Sequence, residues 1–129
     1  MRKMIAAMML FALLALPAFA RQDAEQQKIA YLIDSVATLQ GATFIRNGTG
    51  YDATQAADHM RLKLRFAGSR VNTAEDFITY CATGSSMSGI KYTIRFQDGR
   101  VVDSAAFLLS KLADYAKVHH GHAPNPPVH

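Results

Sequence analysis

Residues Asp52 to Ala67, DATQAADHMRLKLRFA, decide how this chain is read. Asp52 is a strong helix N-cap, and Gln55 three residues on completes a capping-box pattern. Tyr51 precedes the cap and Ala56 follows at the position that a hydrophobic staple uses. At about 100° per residue, Ala56, Ala67, Met60, Leu64 and Ala57 spread over one apolar sector about 100° wide. Arg61, Arg65 and Asp58 form a solvated stripe, and Leu62 and Phe66 begin a second apolar sector. His59 and Lys63 fall between the two sectors, stacked four residues apart on a face that should meet the protein.

A lysine facing the protein needs a partner or a route to water, because an unpaired buried charge is costly. One reading has Lys63 snorkel its stem along Phe66 or Met60. Another makes His59 a core histidine bonded to a backbone carbonyl. A third makes the pair the floor of a cleft that holds an anion or a polar partner.

Outward from this helix, the N-terminus is the next clear segment. Arg2 and Lys3 precede an apolar run from Ile5 to Leu16, then Pro17 and an Ala18-Phe19-Ala20 cleavage pattern. That is the layout of a secretory signal peptide over residues 1–20, too short a run for a membrane span. The expected mature chain, 21–129, has room for one modest core and no membrane span. Arg2 and Lys3 carry two of the four net positive charges of the 129-residue sequence. The remainder lacks the Lys and Arg density of a nucleic-acid binder. Cys81 is the single cysteine, so no internal disulfide staples the domain.

Ile29, Leu32, Ile33 and Val36 repeat at helical spacing and place a first helix over Ala24–Leu39, with Asp23 as its cap. Thr43–Arg46 reads as a strand and Asn47–Gly50 as a turn; Asn47-Gly48-Thr49 also fits a glycosylation sequon. Thr73-Ala74-Glu75-Asp76 opens a third helix with an acidic first turn, and Phe77, Ile78 and Cys81 form its apolar face. Gly84 suits the C′ position of that helix. Ser85, Ser86, Ser88 and Gly89 follow in a tight connection able to form an anion-binding nest. Lys91–Phe96 alternates as a strand, Asp98-Gly99 is a hairpin turn, and Arg100–Val102 is the returning strand. Asp103 caps a last helix with Phe107, Leu108, Lys111, Leu112 and Tyr115 on one face. From His119 the sequence reads as a disordered tail, with three prolines in the last six residues. Its four histidines offer a transition metal no fixed geometry.

Ser88-Gly89-Ile90-Lys91 matches S-x-x-K, but it leads into a strand and lacks a K-T-G partner. There is no G-x-S-x-G, H-E-x-x-H, paired-carboxylate or phosphate-loop signature, and no cofactor or metal is implied.

Four ordered blocks carry a family resemblance: Phe44-Ile45-Arg46-Asn47-Gly48, Ala56 to Leu64, Thr73 to Ile78, and Ser85 to Gly89 with Tyr92. The chain resembles the YfeK-type family of small secreted bacterial proteins with a domain of unknown function, over about Glu25 to Tyr115. The resemblance implies a periplasmic location in a Gram-negative bacterium, and it implies no activity.

These readings converge on a small α+β domain over 21–118, with four helices and a short antiparallel sheet. The expected function is a binding or interaction module. Arg46, His59, Lys63, Ser85, Ser86 and Ser88 would offer cationic and hydroxyl donors to an anionic small molecule, a peptide or a cell-envelope component. The alternatives are a hydrolase with Ser86 or Ser88 as nucleophile, His59 as base and Asp58 or Glu75 as orienting acid, and a structural envelope protein without a ligand. The leader makes a direct prediction: the exported protein begins at Arg21, and its intact mass will lack residues 1–20.

Overall fold

The computed structural model describes the backbone of residues 2–120 and the side chains of residues 19–119. Helix α1 (Arg2–Ala37) takes in the expected leader and the first predicted helix as one element. Strands β1 (Thr43–Arg46) and β2 (Thr49–Tyr51) lead into α2 (Ala53–Ala67). A 3₁₀ turn, Gly68–Arg70, connects to α3 (Ala74–Phe77), which continues as a π-helical turn over Ile78–Ala82. Strands β3 (Thr93–Arg95) and β4 (Val101–Asp103) precede α4 (Ser104–His120). Beyond His120, the remainder of the expected tail and its histidines lies outside the described residues. Among the described residues, no helix is long and apolar enough to cross a membrane. The fold is a small α+β domain, as its sequence pattern predicts.

The four strands form one antiparallel sheet in the order β2-β1-β3-β4. Asn47 and Gly48 alone separate Arg46 from its partner Thr49, and both have positive φ, 50° and 77°. Two left-handed residues are what a two-residue hairpin needs to match strand twist. The stretch expected only as a turn therefore also returns a strand. Across the sheet, Tyr51 pairs with Phe44, Phe44 with Ile94 and Ile94 with Val102. Strand side chains alternate between faces, so these four form one row, and all belong to the apolar core or pack against it.

The helices cover that row. Leu32 and Val36 of α1, Phe77 of α3 and Leu108 of α4 are fully buried with Ile94. Asp52 caps α2 by accepting from the Gln55 N–H, while the Gln55 side chain accepts from the Asp52 N–H. Thr73 and Asp76 make the same reciprocal arrangement at α3. Glu25 of α1 adds an acceptor for the Ala74 N–H, 3.3 Å away, and so ties α1 to the start of α3.

Three details depart from the sequence reading. Gly84 does follow the Thr83 C-cap, but without the positive φ of a left-handed C′ glycine: it forms an isolated bridge with Lys91, and a Cβ there would lie 2.8 Å from the Ile90 carbonyl oxygen. Close backbone approach, not helix termination, is what requires glycine. Asp103 stands directly before α4, as expected, but it also ends β4 and its carboxylate pairs with Lys91 at 3.7 Å. On α2, Leu62 and Phe66 are 41% and 78% exposed, so the second apolar sector of the helix faces outward. The core takes only the sector with Ala57 and Met60.

This division predicts unequal costs for two phenylalanines. Phe77→Ala should lose about 3–5 kcal/mol, the cost typical of truncating a buried aromatic. Phe66→Ala should lose less than about 0.5 kcal/mol, as exposed substitutions usually do. Urea melts of the two variants will measure the difference.

Candidate functional site

Sheet parity places the first components of the site. Arg46 lies two residues after Phe44, and Tyr92 lies two before Ile94, so both stand on the core-facing side of the sheet. Ser104 lies two after Val102, and its N–H donates to the Tyr92 carbonyl at 2.9 Å. Arg46, Tyr92 and Ser104 thus make a second row beside the apolar one. Helix α2 lies across this row and brings His59 and Met60 down onto it. Between them is a half-open pocket of about 210 Å³. Phe44, Tyr51, Ala56, Met60 and Cys81 give it apolar walls, while Arg46, His59, Gln55, Thr93 and Ser104 supply polar groups.

Arg46 Nη1 lies 2.9 Å from His59 Nδ1 and 2.8 Å from Nε2. A neutral imidazole has one lone-pair nitrogen, so Arg46 donates to that nitrogen while the other keeps its hydrogen. The surroundings favour this neutral form. Partial burial first, then the Arg46 charge and the Lys63 charge, hold the His59 pKa below its ordinary value of 6.5. The edge of the His59 ring meets Tyr92, with ring centroids 6.3 Å apart.

Lys63 faces the protein too, but it does not line the pocket. Its Nζ donates to the Gly84 carbonyl at 3.2 Å and to Tyr92 Oη at 3.0 Å, and it lies 4.9 Å from the centre of the Tyr92 ring. Its charge is therefore solvated by a carbonyl dipole, a hydroxyl and a π face. Through Tyr92 it braces the pocket from behind.

The serines stand further out. Ser85 Oγ accepts from the Met87 and Ser88 N–H groups at 3.3 Å, so the loop amides expected to form an anion nest are satisfied from within. Ser88 Oγ donates to Asn47 Oδ1 at 2.7 Å and docks the loop on the β1–β2 turn. Ser86 is exposed, and neither it, Ser85 nor Ser88 lines the pocket. Among the described residues, His59 hydrogen-bonds only with Arg46 and with none of these three serines.

Several pocket groups were outside the sequence-predicted site. Tyr92 was visible in an alternating strand and a family block, and Cys81 on the apolar face of its helix, but neither as a pocket wall. Ser104 gave no signal, since its placement depends on pairing of distant segments. Cys81 is fully buried and its thiol is pushed up by that burial, with Lys63 acting in the opposite direction. An elevated thiol pKa makes for an inert wall residue.

Fold and site together define a small α+β domain with an apolar pocket edged by an arginine–histidine contact. Residues 23–116 match a family of unknown function, DUF5329, and the chain belongs to that family. It is 38% identical over 93 residues to the uncharacterized protein YfeK of Salmonella typhimurium strain LT2, covering 71% of this chain and 77% of that one. No solved structure matches the chain.

The depressed His59 pKa carries a stability consequence. As pH falls through 6.5, the unfolded chain takes up a proton that the folded one refuses, so stability is lost on acidification below that value. His59→Gln should remove this contribution, leaving a shallower loss in urea melts between neutral and mildly acidic pH. In NMR titrations the His59 ring should protonate below 6.5, and Arg46→Met should raise its midpoint.

Proposed function

We propose that the protein is a small binding module whose pocket accepts an anionic group attached to a short apolar body. One observation carries the reading. Arg46 is half-buried at the pocket, and its side chain touches a neutral imidazole with no carboxylate as partner among the described residues. A guanidinium beside apolar walls is costly without a counter-charge, and a carboxylate would supply both the charge and two acceptors matched to its fork. Lys63, behind the wall, adds positive potential without occupying the space.

The leader pattern at residues 1–20 and the family resemblance support an exported, periplasmic module. The loop serines, tied into their own turn, have a structural part in this reading. They hold the connection against the Asn47–Gly48 turn, from which Arg46 projects.

Pentanoate is a suitable probe, since its charged head and short chain match the two halves of the pocket. Chemical-shift titration should place it at Arg46, His59, Met60 and Tyr92, with pentanamide binding more weakly. Arg46→Gln should weaken pentanoate by about tenfold or more, the scale of one charge-assisted hydrogen bond. Equal binding of pentanoate and pentanamide would defeat the proposal.

A further inference from the structure

We propose that the ligand of this pocket is a short carboxylic acid with a second hydrogen-bonding group at its far end, received by Ser104. The inference rests on the anion-binding reading above and adds the ligand's chemical class.

Ser104 is 1% exposed and is the buried polar residue of the core. Its N–H is used by the Tyr92 carbonyl, but its hydroxyl forms no hydrogen bond among the described residues. No side-chain polar atom of those residues is both sealed from solvent and unpartnered. The hydroxyl therefore opens onto the pocket that Ser104 lines. It does not cap α4, although it stands at the first position of that helix. With no protein partner, that hydroxyl is reached only from the pocket, where water or a ligand must satisfy it. A ligand able to donate to it or accept from it suits the position, because a serine hydroxyl does both.

The sheet sets the distance such a ligand spans. Ile45 pairs with Thr93 and Thr93 with Asp103, so Arg46 and Ser104 follow two ends of one three-strand row. Two strand spacings separate their backbones by about 10 Å. The Arg46 side chain shortens that gap. The half-open pocket, about 210 Å³, sets the scale of a short chain. A carboxylate, a short methylene chain and a terminal hydroxyl fit both limits. The apolar walls between the two polar ends face the methylenes.

The test compares 4-hydroxybutanoate, 5-hydroxypentanoate and 6-hydroxyhexanoate with pentanoate, by chemical-shift titration of wild type and Ser104→Ala. At least one hydroxy acid should bind wild type about three- to tenfold tighter than pentanoate, the scale of one neutral hydrogen bond. Ser104→Ala should lose that preference, binding the hydroxy acids no tighter than pentanoate, and melt at or above the wild-type temperature without ligand. A wild type with no preference, or a Ser104→Ala variant that retains it, would overturn the inference. So would a lower melting temperature of the unliganded variant, which would reveal a protein partner for the hydroxyl. Failure of pentanoate itself to bind would remove the anion-binding reading as well. Binding of pentanoate without a hydroxyl preference would remove the role of Ser104 alone.

Discussion

Phe44 faces Tyr51 on one side and Ile94 on the other, and the register of that central strand governs the rest of the molecule. A slip of one residue would turn every β1 side chain to the opposite face. Phe44 would leave the core, and Arg46 would leave the pocket with it. The short strands supply few ladder bonds, so the register is held from outside the ladder. The Asn47–Gly48 turn fixes one end by permitting two left-handed residues in succession. The buried cluster of Leu32, Val36, Phe77 and Leu108 fixes the other by accepting only one face of the sheet.

Half-burying Lys63 at the edge of this core is the least expected choice in the fold. No carboxylate balances it among the described residues. Its ammonium instead meets oriented dipoles, the Gly84 carbonyl and the Tyr92 hydroxyl. Oriented dipoles stabilise a charge without cancelling it. The net positive charge therefore persists beside the pocket, and it contributes to keeping His59 neutral.

Local signals were legible in the sequence where a single segment determines the outcome. The Asp52–Gln55 and Thr73–Asp76 capping pairs, the Ile29–Val36 face of α1 and the inward placement of His59 and Lys63 are of this kind. The wheel failed for Leu62 and Phe66, because periodicity identifies an apolar sector but not whether another element covers it. Strand β2 was missed because three residues with a central glycine show no alternation. The π-helical turn over Ile78–Ala82 was missed because no residue type in ITYCA marks it. Arg46 and His59 were recognisable as candidates, whereas Tyr92 and Ser104 meet them only through the β1–β3–β4 register. The serine loop drew attention by composition, yet its hydroxyls serve the loop.

The π-helical turn has an evolutionary implication. Thr83 Oγ1 bonds back five residues to the Ile78 carbonyl, continuing the wide spacing of Ile78–Ala82. A π turn is equivalent to one residue inserted into an α-helix. Loss of one residue anywhere in this short segment would restore the narrower spacing and rotate the downstream chain by about 100°. Cys81 would swing off the pocket wall, and the Gly84 carbonyl would lose its alignment with Lys63. Homologous chains should therefore tolerate changes of residue type here more readily than changes of length. A gap between residues 78 and 83 in a family alignment would mark a lineage whose pocket has a different back wall.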